Sequence, residues 1–196
     1  TMKSIGPKER KGHKNPAVIE WNHGLLNAVG LPTPGYKNTE EEFEELKALK
    51  KIRVPLIASI YGSKASEFLE VAEYVAGKNP DAIELDISCP HTEWGGTQFA
   101  CDPEISHKIV SGVKDVAGKI PIIAKLTPAA TSPIAVGVAC EEAGADAICA
   151  ANTMPGMIID VDARKPILAF KKGGMSGPAL KPINMKIVYE LYGKVK

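Results

Sequence analysis

A parallel α/β architecture, a central sheet with helices outside it, is what this sequence predicts, and three observations carry that prediction. Short apolar runs of strand length recur, segments with helical periodicity separate them, and no antiparallel hairpin signal stands between them. The runs occupy residues 54–60, 82–88, 121–126 and 147–151, each short enough for a buried strand. Thr1-Met2-Lys3-Ser4-Ile5 reads as the end of a further strand.

The helices fall between these runs. An acidic segment at 39–51 precedes the first full strand, and 64–76 follows it. Asp102-Pro103 opens a helix that runs to about Ala117, because a capping carboxylate and a proline in the first turn suit N–H groups that have no partner within the helix. Ser132-Pro133 opens the next helix, which Gly144 closes, and 183–192 forms the last.

Such a sheet is either doubly wound or closed as a (β/α)8 barrel. No GxGxxG follows any strand, which weakens the dinucleotide-binding doubly wound form. Barrel enzymes carry their chemistry at the carboxyl ends of the strands. Here those ends are polar: Lys3 and Ser4, Ser88 and Cys89, Lys125 and Thr127, Asn152 and Thr153. A full barrel takes about 250 residues. The 196 residues supply one strand remnant and four strands, so a central part lacking strands at both ends is expected.

With 44% hydrophobic and 24% charged residues, the composition is that of one globular domain. A net charge of +1, spread along the chain, gives no footprint for nucleic acid or an anionic membrane. There is no apolar run of about 18 residues. Cys89, Cys101, Cys140 and Cys149 form no CxxC pair and have no histidine at zinc-ligand spacing, so neither a metal centre nor a disulfide framework is expected, and a reducing cytoplasm fits.

Four features carry candidate chemistry. Cys89, just past a strand, is a nucleophile, a proton-transferring base, or a buried inert thiol. Lys125 lies in an apolar strand, where a cation needs an anion, an electron-rich ligand such as a reduced flavin, or a path to solvent. Glu84, Asp86 and Ser88 share the strand face opposite Ile83, Leu85 and Ile87, so the carboxylates either join an internal ion-pair network or meet a ligand. The segment 173–178 reads as a glycine-rich loop before a helix, of the kind whose backbone N–H groups approach a ligand.

Taken in order, Lys3-Ser4-Ile5, Asn15-Pro16, 24–31, Ile87-Ser88-Cys89-Pro90, Lys125-Leu126, Asn152-Thr153, 156–160, 173–178 and Lys181-Pro182 resemble the dihydroorotate dehydrogenases, above all the class 1 enzymes with a catalytic cysteine. The resemblance implies a TIM barrel, of which residues 1–196 are the central part of one FMN-binding domain, from the end of the second strand to the helix after the sixth. It implies flavin-dependent oxidation of dihydroorotate to orotate in pyrimidine biosynthesis, with Cys89 as the base. Asn27, Asn152 and Thr153 would hold the pyrimidine, and Lys3, Ser4, Lys125, Asn152, Ser176 and Gly177 would contact FMN. The family's last two strands grip the flavin phosphate, so this stretch alone is expected to hold FMN poorly. An iron-sulfur flavoprotein electron-transfer subunit and a second copy of the chain, as a homodimer, are the implied partners.

The sequence departs from the family at three places. Asp86 and His91 replace pyrimidine-binding asparagines, and Ala129 replaces the asparagine after Lys-Leu-Thr-Pro. A carboxylate only accepts hydrogen bonds, whereas an amide also donates, so Asp86 and His91 are expected to hold the substrate ring differently. Cys89-Pro90-His91, 124–128 and 57–60 are also similar to dihydropyrimidine dehydrogenases, which makes uracil or thymine chemistry the main alternative. A catalytically silent barrel that binds flavin or a partner protein is a third reading.

Overall fold

The computed structural model describes residues 1–50, 54–88 and 101–196, without the side chains of 49 and 50. In chain order its elements are β1 (Val18–Trp21), β2 (Gly24–Asn27), α1 (Glu40–Lys50), β3 (Ile57–Ile60), α2 (Ala65–Ala76), β4 (Ala82–Asp86), α3 (Pro103–Ala117) and β5 (Ile122–Lys125). There follow α4 (Pro133–Glu142), β6 (Ala147–Cys149), β7 (Met154–Gly156), β8 (Ile159–Asp160), β9 (Lys165–Pro166), β10 (Gly173–Ser176) and α5 (Lys181–Tyr192).

The expected parallel sheet is present as β3-β4-β5-β6, each strand beside the next in the chain. The opening segment extends it. Ile5 pairs in parallel with Ile60, and backbone hydrogen bonds run from Met2 N to Ile57 O at 3.0 Å and from Ile5 N to Ser59 O at 2.8 Å. This is the part-barrel arrangement that the strand count predicts.

Alternation along β4 then sorts the side chains. Ile83 and Leu85, fully buried, face the helices beside Ala58, Ile60, Ile122 and Ala124, and join the main core. That core is filled from outside by Phe68, Val71 and Val75 of α2 and by Ile109, Val110 and Val113 of α3. Glu84 and Asp86 take the inner face. Across the sheet Glu84 lies level with Ser59 and Ile123, Asp86 with Lys125, and Lys125 with Cys149.

Helix ends follow their sequence signals. The Asp102 carboxylate accepts from the N–H groups of Glu104 at 2.9 Å and Ile105 at 3.1 Å, and Gly118 leaves α3 at φ +61°. Ser132 caps α4 through Ala135 N at 3.3 Å. Among the described residues no helix is long and apolar enough to cross a membrane.

Two expectations are corrected. The first is the lack of antiparallel pairing: a second, four-stranded antiparallel sheet runs β1-β2-β10-β7, with β8 and β9 as a small pair beside it. Its hairpin β1-β2 turns on Asn22 and His23, both at positive φ (35° and 69°), with Trp21 opposite Gly24. A two-residue turn with positive φ at both positions matches strand twist, and histidine in place of glycine hid it. The second is the glycine-rich stretch, which is a strand, β10, rather than a loop. A Cβ on Gly173 would lie 2.3 Å from Asn27 O, and one on Gly174 2.1 Å from Thr153 Oγ1. The glycines therefore let β10 pass close to β2 and Thr153.

Candidate active site

A cavity of about 480 Å³ lies between the antiparallel sheet and the carboxyl ends of the parallel strands. Its floor comes from the strand ends: Lys3, Asp86 and Ser88, Thr127, and Asn152 with Thr153. Asn27, Gly173 and Gly174 supply the facing wall, and Arg10, His13, Phe170 and Lys172 line it too. The volume lies within the range usual for small-molecule sites.

A hydrogen-bond chain orders the floor. Ser88 Oγ donates to Asp86 Oδ1 at 2.6 Å. Asn152 Nδ2 donates to Asp86 Oδ1 at 3.2 Å and to Ser88 Oγ, while Asn152 Oδ1 accepts from Thr153 N at 2.7 Å. The amide is thereby held in one orientation. On the facing wall Asn27 Nδ2 donates to Gly174 O at 3.3 Å, which ties the end of β2 to β10.

Lys125 Nζ reaches Glu84 Oε1 at 3.4 Å, a loose pairing on the inner face. Lys3 feels Asp86 and Lys125. Burial pulls its pKa below the usual lysine value, Asp86 pushes it back up, and Lys125 adds to the lowering. An anion held by Lys3 should therefore bind less tightly as pH rises into the range just below 10.5, where this ammonium loses its proton before an ordinary lysine does. Titrating an anionic ligand between pH 7 and 10 checks this. Lys3→Gln should flatten the fall, and a fall of equal size in the variant would remove Lys3 from anion binding.

His13 forms part of the wall in a fixed pose. Its ring stacks on Phe170 with centroids 3.9 Å apart and 8° between planes, and Nδ1 lies 3.0 Å from Ala28 O. A carbonyl only accepts, so Nδ1 carries the hydrogen. Arg10, His13, Phe170 and Lys172 lay outside the sequence expectations, since they sit outside the parallel strands and no periodicity marks them.

Of the expected site residues, Lys3, Asn27, Asp86, Asn152 and Thr153 meet at this cavity. Ser4 instead shares a 2.9 Å hydrogen bond with Ser59, and Ser176 pairs with Leu25 within the antiparallel sheet. Gly177 lies against Gly24, and neither it nor Ser4, Lys125 or Ser176 lines the cavity. Cys89 and His91 lie outside the described residues. Burial raises the thiol pKa of Cys101 and Cys149 and pushes Cys140 up to about 12, so none of these three is poised to ionise near neutrality.

Comparison with known proteins gives one consistent result. The family model described as "Dihydroorotate dehydrogenase" matches residues 1–196. Among curated proteins, the "Dihydroorotate dehydrogenase B (NAD(+)), catalytic subunit" of Methanosarcina acetivorans is 45% identical over 190 residues, covering 97% of this chain and 60% of the relative. The protein of the same description from Methanocaldococcus jannaschii is 46% identical over 193 residues, 98% of this chain and 62% of its own length. That from Pyrococcus furiosus is 45% identical over 193 residues, with the same shares. The chain thus spans about 60% of the length of the curated relatives it matches.

Proposed function

Because the chain belongs to the dihydroorotate dehydrogenase family, we propose that it is the central part of an FMN-dependent barrel that oxidises dihydroorotate to orotate in pyrimidine biosynthesis. The observation that carries the reading is the cavity, where Lys3, Asn27, Asp86, Asn152 and Thr153 converge from four separate stretches of chain. Convergent polar groups at the carboxyl ends of parallel strands are where barrel enzymes do their chemistry.

The donor set fits a flavin. Lys3 at the cavity and the loosely paired Lys125 beside it are cations near a site otherwise lined by neutral and apolar groups, apart from Asp86, Arg10 and Lys172. These two lysines would hold the pyrimidine edge of the flavin, and the remaining family assignments, Ser4, Asn152, Ser176 and Gly177, belong to the same proposal. When bound, FMN supplies a two-electron acceptor that takes hydride at its N5. Cys89 would remove the proton next to the substrate carbonyl, Asn27, Asn152 and Thr153 would orient the ring, and His91 would lie against it.

An iron-sulfur flavoprotein subunit that passes the electrons on to NAD, a homodimeric state and a cytoplasmic setting complete the proposal. The first of these draws support from the relatives' description as "Dihydroorotate dehydrogenase B (NAD(+)), catalytic subunit". Anaerobic titration with dihydroorotate is the test. Because this stretch alone is expected to hold FMN poorly, the whole protein is the one to titrate: its bound FMN should lose its yellow absorbance stoichiometrically, whereas a whole protein that retains no flavin, or whose flavin stays oxidised, defeats the proposal and favours a silent binding barrel.

A further inference from the structure

What the cavity offers a pyrimidine ring turns on Asp86. Its side chain sits on the inner face of β4 with 8% of its surface exposed. Both hydrogen bonds it accepts among the described residues fall on Oδ1, from Ser88 and Asn152. Asn152 turns its N–H groups to Asp86 and Ser88, and its Oδ1 already accepts from Thr153 N. This part of the floor therefore presents acceptors to the cavity, the second oxygen of Asp86 and the remaining lone pair of Asn152, and it bears a negative charge.

The neighbouring cations do not cancel that charge for a ligand. Lys3 is largely exposed, so solvent screens its charge. Lys172 is exposed and Arg10 is half-buried, so solvent and salt screen them over a length of about 8 Å at physiological ionic strength. The buried carboxylate is screened far less. A ring N–H pairs with it, whereas a carboxylate on the ligand meets repulsion there.

We propose that Asp86 takes a ring N–H of the substrate and opens the site to uncharged dihydropyrimidines, dihydrouracil among them, beside dihydroorotate. The inference rests on the flavin-oxidoreductase reading. The chemistry balances for the neutral ring as for the charged one. The C5–H bond breaks with its proton passing to the base, the C6–H bond breaks with its electron pair leaving as hydride to the flavin, and C5=C6 forms. The ring is oxidised and the flavin reduced by two electrons.

The test is calorimetric titration of the flavin-loaded protein with orotate, methyl orotate and uracil, in the parent and in Asp86→Asn. The parent should bind methyl orotate at least as tightly as orotate, and uracil within about tenfold of it. Asp86→Asn should tighten orotate about tenfold, equivalent to roughly 1.4 kcal/mol, and leave both neutral rings within about threefold. Parent protein that binds orotate more than about a hundredfold tighter than both neutral rings overturns the proposal, as does orotate affinity unmoved by the substitution. The ester comparison needs no variant, so it decides even where Asp86→Asn fails to fold. Flavin bleached by dihydroorotate but never by dihydrouracil defeats this inference alone, while flavin bleached by neither defeats the proposed function.

Discussion

Cys89→Ser is expected to slow reduction of the bound flavin by dihydroorotate by about 10²–10⁴-fold, the range typical of losing a positioned general base. The thiol follows directly on Ser88, whose hydroxyl lines the cavity and bonds to Asp86. A thiol ionises within a few units of neutrality, whereas a serine hydroxyl does not, so the variant keeps the size of the side chain and loses its basicity. Stopped-flow bleaching across pH separates the two. The parent rate should climb as the thiol ionises, and the variant should show a low, nearly flat profile with substrate affinity retained. A variant reduced at the parent rate would take Cys89 out of the chemistry.

Phe68→Ala should cost about 3–5 kcal/mol of stability, the usual range for deleting a buried phenylalanine side chain. Phe68 is fully buried on α2, in the core between that helix and the parallel sheet. Domains of ordinary size are stable by only about 5–15 kcal/mol, so the loss is a large part of the whole. Urea unfolding followed by circular dichroism measures it, with the midpoint falling and the slope unchanged. A change below about 1 kcal/mol would mean that the core does not close over this ring.

The parallel half of the molecule was legible because its signals are local. Asp102-Pro103 and Ser132-Pro133 mark helix starts by chemistry that acts within one turn, and both cap as expected. The alternation of Glu84 and Asp86 with Ile83 and Leu85 needed only the two-residue period of a strand. The antiparallel sheet was not legible, because β7 and β10 are three and four residues long and meet partners far away in sequence. Gly173 and Gly174 carried a real constraint, the close approach of Asn27 and Thr153, and they also line the cavity. The site divides in the same way. Lys3, Asp86 and Asn152 are strand-end residues and were found, whereas His13 and Phe170 are set by a stacking contact that no sequence period announces.

The two walls of the cavity also differ in what ordering them requires. The hydrogen bond from Asn27 to Gly174 closes a loop of 147 residues, while β3, β4, β5 and β6 each pair with a near neighbour in the chain. Contacts of such long range repay their closure entropy only after the intervening chain has condensed. The small core behind that wall has three buried residues among those described, Leu26, Ala28 and Leu168, so little burial opposes its release. In hydrogen exchange the amides of β2 and β10 should therefore lose protection at lower denaturant than those of β4 and β5. The protein would then pass through a form in which the cavity floor survives on an intact sheet while the roof over it has opened, and a ligand that bridges floor and roof would stabilise the roof first.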